Sequence, residues 1–300
     1  MIPLTFFDLF SGIGGFRLGL EREGYKCVGF CEINKYATKL YKAYFNTEGE
    51  VEYHDAREII PEELPDFDVL TAGFPCQAFS IAGKKRGFND SRGSLFFEII
   101  RIAKIKKPTY LFLENVKEIL THDRGRTFTK ILLEMDKLGY NAEWQMLSSD
   151  RFGVPQSRKR VFIVGHHRKR SKLKVFPITE KDKVYYQKPI KQPINAIIKA
   201  CYTPKRKKEY VRGRKFRNFD EPMYTLTAKG ATQGIIIEST ENIRIRILTP
   251  LEYFRLQGFP DDMVTIAQKL GFSDSCLYYL AGNSVTVQIV QTIAKKLKRS

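Results

Sequence analysis

The sequence predicts an α/β protein, in which a parallel sheet covered by helices on both faces carries a smaller, irregular, β-containing lobe. Three observations predict it. Over the first 165 residues, short β-rich runs alternate with stretches of helical spacing. From His166 to Ile247 that alternation breaks into Pro-, Lys- and Arg-rich sequence with only short β-like runs. The chain then closes with an amphipathic stretch at 284–298, whose apolar stripe Val287, Val290 and Ile293 suits packing back onto the first lobe.

In order, strands are expected at 4–10, 26–31, 66–72, 109–114, 140–147 and 160–165, where aromatic and β-branched residues cluster. Helices are expected between them at 16–23, 35–44, 94–106 and 127–138. In the second lobe, 234–238 and 243–248 read as short strands. Thr249-Pro250 then starts a helix, with Thr as N-cap and Pro in the first position, that stops at Gly258. The expected division is 1–165 plus 281–300 for the sheet domain, and 166–280 for the second lobe with its return segment.

Composition narrows the function classes. No apolar run approaches the ~18 residues of a membrane span, and the start MIPLTFFDLF lacks the basic end and cleavage site of a signal peptide, so a cytoplasmic protein is expected. The five cysteines are scattered, which argues against a disulfide framework. Cys27 and Cys31 have no second pair at zinc-ligand spacing, so no metal is expected. The net charge is +18, and residues 151–220 alone hold 22 Lys and Arg against 4 Asp and Glu. A solvated face normally mixes signs; a field of one sign favours a polyanion, and with no amphipathic anchor beside it that partner is expected to be nucleic acid rather than a membrane.

The residues just beyond the strand ends carry the chemistry, as open sheets of this kind place ligands there. FSGIGG at 10–15 follows the first strand and opens a helix, and Glu32 ends the next strand about 20 residues on, where an acid can hold ribose hydroxyls. A glycine turn alone is equally a structural turn; the acid at this offset favours a nucleoside cofactor. That cofactor is not NAD, because the third glycine of the dinucleotide fingerprint is replaced by Arg17. Asp55 could accept from an adenine amino group, or simply cap a turn.

GFPCQAFS at 73–80 places Cys76 beyond the third strand, with Pro75 stiffening the turn and polar Gln77 and Ser80 alongside. Most cysteines are small buried apolar residues, but an accessible thiol here would be a nucleophile. Glu114 closes the apolar run YLFL, where desolvation would raise its pKa and let it keep a proton; a salt-bridged structural Glu is the plainer reading. QSRKR at 156–160 enters a strand, and a period of two would put Arg158 and Arg160 on one side, converging on a pocket.

These segments, in this order, resemble the cytosine-5 DNA methyltransferase family. The matching stretches are DLFSGIGGFRLGLE (8–21), GFPCQAFS (73–80), DSRGSLFFEI (90–99), ENV (114–116), QSRKR (156–160), RILTPLEYFRLQGFP (246–260) and GNSV (282–285), which together span nearly the whole chain. The resemblance implies a Rossmann-like S-adenosylmethionine-dependent methyltransferase sheet with a target-recognition domain. It implies that Cys76 adds to carbon 6 of a flipped-out cytosine while Glu114 protonates or hydrogen-bonds ring nitrogen 3. Arg160 would hold the cytosine oxygen, and Arg158 would support the loop or a nearby phosphate.

For S-adenosylmethionine the resemblance implies Phe10, Ser11, Gly12, Gly14 and Gly15 of the first loop, Glu32 on the ribose, Asp55 and Ala56 at the adenine, and Pro75, Leu95, Asn283, Ser284 and Val285 completing the pocket. Ile33 stands where the family often has an aromatic residue, so an aliphatic face would pack the adenine. For DNA it implies a lid after Cys76 bearing Gln77, Ser80, Lys84, Lys85, Arg86 and Arg92. Arg212, Arg214 and Arg217 would meet phosphates. Thr225 and Leu226 of MYTLTA would form the recognition core, and Gln233 would reach base edges. The partner is double-stranded DNA, bound by an expected monomer of a bacterial or phage restriction-modification system, with a cognate endonuclease as its counterpart. A transfer-RNA cytosine methyltransferase would carry a Cys-Phe-Thr element, which is not found, and a silent DNA-binding regulator would be expected to lose Cys76, Glu114 or the arginines.

Overall fold

A computed structural model describes residues 3–74, 94–171, 174–182, 223–224, 234–238 and 243–298. Its central sheet comprises β1 (Thr5–Leu9), β2 (Lys26–Cys31), β3 (Val51–Tyr53), β4 (Val69–Gly73), β5 (Tyr110–Val116), β6 (Tyr140–Ser148) and β8 (Lys159–His167). The order is β3-β2-β1-β4-β5-β8-β6. Helices α1 (Gly15–Glu21), α2 (Lys35–Tyr44), α3 (Ser94–Lys106) and α4 (Arg126–Lys137) connect the strands, close to the expected ranges.

The sheet is parallel from β3 to β5, but β8 runs antiparallel to both β5 and β6. The wholly parallel sheet expected from the sequence is therefore corrected to a mixed one. The cause is the connection at 149–158: a parallel crossover needs about a dozen residues or more, so a shorter link turns the chain straight back. Within that link lies β7 (Gln156–Ser157), which pairs with β9 (Met223–Tyr224). Strands β10 (Gly234–Glu238) and β11 (Ile243–Ile247) form an antiparallel pair.

Strand alternation divides the core. Phe7, Leu9, Leu70 and Leu111 face one way, onto Ile99, Ile102, Ile131 and Met135 of α3 and α4. Phe6, Val69 and Phe112 face the other, onto Phe16 and Leu20 of α1 and Val290, Ile293 and Leu297 of α8 (Val287–Leu297). A third cluster joins Leu40 and Tyr41 of α2 to Tyr253, Met263, Leu277 and Leu280. Those last residues belong to α5 (Pro250–Arg255), α6 (Asp261–Lys269) and α7 (Asp274–Asn283). The return segment that the sequence reading grouped with the second lobe thus packs against α2. Helix α5 has the expected Thr249 cap, with the full reciprocal box to Glu252, and ends at Arg255.

Strand order reverses between β1 and β4, since the chain moves outward to β2 and β3 before crossing back. The crevice of such a sheet opens beyond the carboxyl ends of those two strands. Both motif loops leave from there.

Candidate active site

The first loop is wound tightly where β1 ends. Phe10 has φ 57, an uncommon backbone state for a residue with a side chain, followed by Gly12 at 55 and Gly14 at 83. The turn is pinned by Ser11 N–H donating to the Cys31 carbonyl at 3.0 Å and Gly14 N–H to the Ser11 carbonyl at 2.9 Å. A side chain at Gly14 would run into the Phe45 ring, and a Cβ on Gly15 would lie 2.7 Å from Val285 Cγ1. The loop therefore sits hard against the segment 283–285, which brings Gly15, Ser284 and Val285 together as expected; Asn283 is exposed beside them.

Glu32 anchors the same loop, accepting from Gly12 N–H at 2.7 Å and from Asn34 N–H at 2.7 Å, one bond on each oxygen. Burial raises its pKa against those two donors. Each oxygen keeps a lone pair for a hydroxyl. Ile33 next to it is 60% exposed, a large apolar side chain offered to solvent. Ser11 Oγ is buried and has no hydrogen-bond partner among the described residues. An acid, an unpartnered hydroxyl and an open aliphatic face fit a ribose with its base.

Asp55 is less free than the sequence implied: its carboxylate is ion-paired with Arg57 and caps the Arg57 N–H, so an adenine amino group would share it. Ala56 is buried. Leu95 stands in the first turn of α3 and is partly buried.

On the other side of the crevice, Glu114 and Gly73 are register partners across β4 and β5, and a Cβ on Gly73 would lie 3.6 Å from a Glu114 oxygen. Arg160 Nε approaches Glu114 Oε1 at 3.0 Å from β8. The carboxylate is 14% exposed. Burial raises its pKa above the ordinary Glu range, with Arg160 and Arg158 opposing but not cancelling the shift. The result is an acid that holds its proton more readily than a solvated one does.

Arg158 departs from the expectation of two guanidiniums sharing a pocket. It lies between β7 and β8 rather than within a strand, is 3% exposed, and donates from Nη2 to the carbonyls of Gly282 and Ser284, both at 2.9 Å. It braces the 282–285 loop and is too deep for a phosphate. Asn115 was passed over in the sequence: its Nδ2 donates to the Phe74 carbonyl at 2.9 Å, fixing the last residue before the 75–93 segment beside Glu114. Its position between Glu114 and Val116 in ENV was the available signal.

Pro75, Cys76, Gln77, Ser80, Lys84, Lys85, Arg86 and Arg92 lie outside the described residues, as do Arg212, Arg214, Arg217, Thr225, Leu226 and Gln233. Among the described residues, no helix is long and apolar enough to cross a membrane.

Comparison with known proteins accords with this geometry. The profile of the family described as C-5 cytosine-specific DNA methylase matches residues 4–233 and 182–299. Type II methyltransferase M1.ScrFI of Lactococcus lactis subsp. cremoris is 40% identical over 97% of this chain and 77% of its own. Type II methyltransferase M.DsaV of Dactylococcopsis salina is 38% identical over 98% and 86%. Among solved structures, the S. pombe Dnmt2 methyltransferase shares the fold, with a TM-score of 0.72 at 20% identity over 99% of both chains. With its profile matched over most of its length and relatives 38–40% identical, this chain belongs to the C-5 cytosine-specific DNA methylase family.

Proposed function

We propose that the protein is the modification enzyme of a type II restriction-modification system and methylates carbon 5 of a cytosine extruded from double-stranded DNA. The observation that carries the reading is the junction of Glu114, Arg160 and the Asn115-fixed Phe74, which roots the segment bearing Cys76 beside a protonatable acid. Cytosine resists nucleophiles until its ring nitrogen is protonated, so thiol and acid must act together. In this reading Cys76 Sγ bonds to carbon 6, while the proton of Glu114 goes to nitrogen 3 and the pair of the carbon 5–carbon 6 bond becomes available at carbon 5. Arg160 neutralises Glu114 after the transfer and reaches the cytosine oxygen. Once carbon 5 carries the methyl group, loss of its proton to solvent expels Cys76 as a thiolate, nitrogen 3 returns its proton to Glu114, and the aromatic ring is restored.

S-adenosylmethionine, when bound, supplies the methyl group. Glu32 would hold its ribose, Ser11 and Gly12 its flank, Ile33 and Phe10 the adenine, and Asp55 the adenine amino group shared with Arg57. Leu95, Asn283, Ser284 and Val285 would close the pocket, with Pro75 stiffening the turn before Cys76. Extruding the base costs a few kcal/mol, offset by phosphate contacts from the lid residues Lys84, Lys85, Arg86 and Arg92 and from Arg212, Arg214 and Arg217. Gln77, Ser80, Thr225, Leu226 and Gln233 would face the bases. The protein acts as a monomer in the cytoplasm, and an endonuclease of the same specificity would be its counterpart without needing to touch it.

The test is to incubate mixed-sequence duplex DNA with protein and S-adenosylmethionine and to map converted and protected cytosines by bisulfite sequencing. Methylation at carbon 5 in one short context is expected. Cys76→Ser should abolish turnover and leave DNA binding in place; a serine variant that still methylates would remove the covalent mechanism.

A further inference from the structure

The reversed direction of β8 has a consequence for the basic segment that follows it. Because β8 is antiparallel to β5, Arg160 pairs with Val116 at the crevice, whereas His166 pairs with Tyr110 at the far end. Six residues separate the two pairings, which at ~3.4 Å per residue puts the end of β8 about 20 Å from the Glu114–Arg160 pair. The cations that follow β8, Arg168 to Arg170, therefore stand at the amino ends of β4 and β5, on the side of the sheet away from the crevice.

A compact cationic group is assembled there. Lys107 follows α3 directly with φ 47 and is exposed, while Lys169 and Arg170 are exposed on the turn after β8. That turn is fixed by His167 N–H donating to the Thr109 carbonyl at 3.0 Å and Arg170 N–H to the His167 carbonyl at 2.8 Å. Two acids approach, and both are taken: Asp66 is paired with Lys106, and Asp136 with Arg168. Among the described residues no ion pair joins Lys107, Lys169 or Arg170 to an acid. The convergence is felt by His167, whose pKa is lowered by burial and then by Arg170, Lys107 and Lys169.

We propose that this distal face binds the phosphate backbone of a second DNA duplex, so that the protein passes directly from one segment to another. The inference rests on duplex DNA being the substrate at the crevice. A duplex suits the site better than single-stranded RNA does. The cations are held at spacings set by a helix end and a hydrogen-bonded turn, which is what phosphate contacts need. The neighbouring rings of Tyr110 and Tyr140 are buried, so among the described residues beside this group no aromatic platform offers itself for stacking unpaired bases. A protein with one DNA surface must let go before it rebinds; one with two opposed surfaces can be handed over.

The test is stopped-flow dissociation of the full chain from a short fluorescent duplex, chased with rising concentrations of unlabelled duplex. For the wild type, the observed dissociation rate is expected to climb with chase concentration, and the chase effect to weaken with salt at a log–log slope of about −3 for three phosphate contacts. In Lys107→Ala/Lys169→Ala/Arg170→Ala the rate should become independent of chase, with kcat on a short duplex unchanged. The single reversal Lys169→Glu, at an exposed turn, should cut the chase dependence in the same direction. A wild-type rate flat in chase concentration, a triple variant that keeps the dependence, or acceleration by single-stranded RNA but not by duplex would each overturn the proposal. Failure of the wild type to methylate duplex DNA at all would instead remove the reading of the crevice.

Discussion

Two corners of the sheet bury an arginine beside a carboxylate, and they are finished to different degrees. Behind the glycine loop, Arg17 is 3% exposed and fully engaged. Its Nε donates to Glu21 at 2.7 Å, Nη1 to Glu50 at 2.8 Å, and Nη2 to Glu50 and the Asn46 carbonyl at 2.7 and 2.8 Å. The Phe45 and Tyr41 rings lie 4.5 and 5.1 Å from its guanidinium carbon. Nearby, buried Asp8 accepts from Thr71 Oγ1 at 2.8 Å and from Tyr41 OH at 3.2 Å. At the crevice, by contrast, Glu114 is held by Arg160 alone among direct side-chain partners of the described residues, while Arg158 beside it is spent on backbone carbonyls. Saturated partners make a charge structural, and a carboxylate left short of partners stays able to trade its proton.

The largest effect expected from breaking this contrast is at the incomplete corner. Glu114→Gln should lower methylation by about 10²–10⁴, the range for losing a positioned acid, with little change in S-adenosylmethionine affinity. Because the raised pKa keeps the acid protonated further up the pH scale, wild-type kcat/KM should decline as pH rises through it, and the variant's residual rate should lack that decline. A variant with near-normal turnover would make Glu114 a structural residue like those behind the loop.

Arg17→Met probes the saturated corner. It strands the buried Glu50 carboxylate without its partner, so urea unfolding should report a loss of about 3–5 kcal/mol, with kcat per folded molecule retained. Loss of turnover at full stability would erase the distinction between the corners.

Asp8→Asn should act through pH. Burial raises Asp8 from 3.8 to about 7, with Thr71, Arg17 and Tyr41 opposing. The folded form thus holds the proton more tightly than the unfolded one, so this contribution to stability is complete below the lower value and lost as pH rises through the upper one. At ~1.4 kcal/mol per pKa unit, the loss reaches at most about 4 kcal/mol. The asparagine variant, whose Oδ1 can still accept from Thr71 while its Nδ2 donates to the Tyr41 hydroxyl oxygen, should show a flatter stability profile across that window in urea titrations; an unchanged slope would mean that Asp8 is ionised in the fold.

The smallest effect is expected at Gly15→Ala, where the new methyl meets Val285. Overpacking of this kind costs about 1–3 kcal/mol, read as a lower Tm, and Val285→Ala in the same chain should recover most of it. Without such recovery the loop would not be resting on Val285.

Which of these features the sequence disclosed follows from the range over which each signal acts. Helices α2 and α3 were legible to the residue, because amphipathic spacing and capping are local. Glu32 was legible as a strand-end acid, and Glu114 as an acid closing an apolar run, although β5 continues past it to Val116. The direction of β8 was not, since a period of two is the same read either way. Helices α6 and α7 went unread although Asp261 and Asp262 open the first and Ser273 caps the second; α7 is buried over much of its surface, which blurs its period. Arg17 looked like a broken fingerprint because its partner Glu50 lies 33 positions away. The loop that Arg158 supports could not be read for the same reason, its carbonyl acceptors being 124 and 126 positions downstream.

The helix behind the glycine loop leans on residues translated very late. Tyr25 OH donates to the Ala294 carbonyl at 2.9 Å across 269 positions, and Gln291 and Lys298 reach back to Glu23. At ~5–20 residues per second, a ribosome needs about a quarter of a minute to a minute to cover that separation. Until α8 emerges, α1 has only the sheet side of its apolar seat, formed by Phe6, Val69 and Phe112, while the basic stretch has already been made. The glycine loop and α1 therefore gain their full packing only after α8 has left the ribosome, well after the basic stretch is free to meet a polyanion.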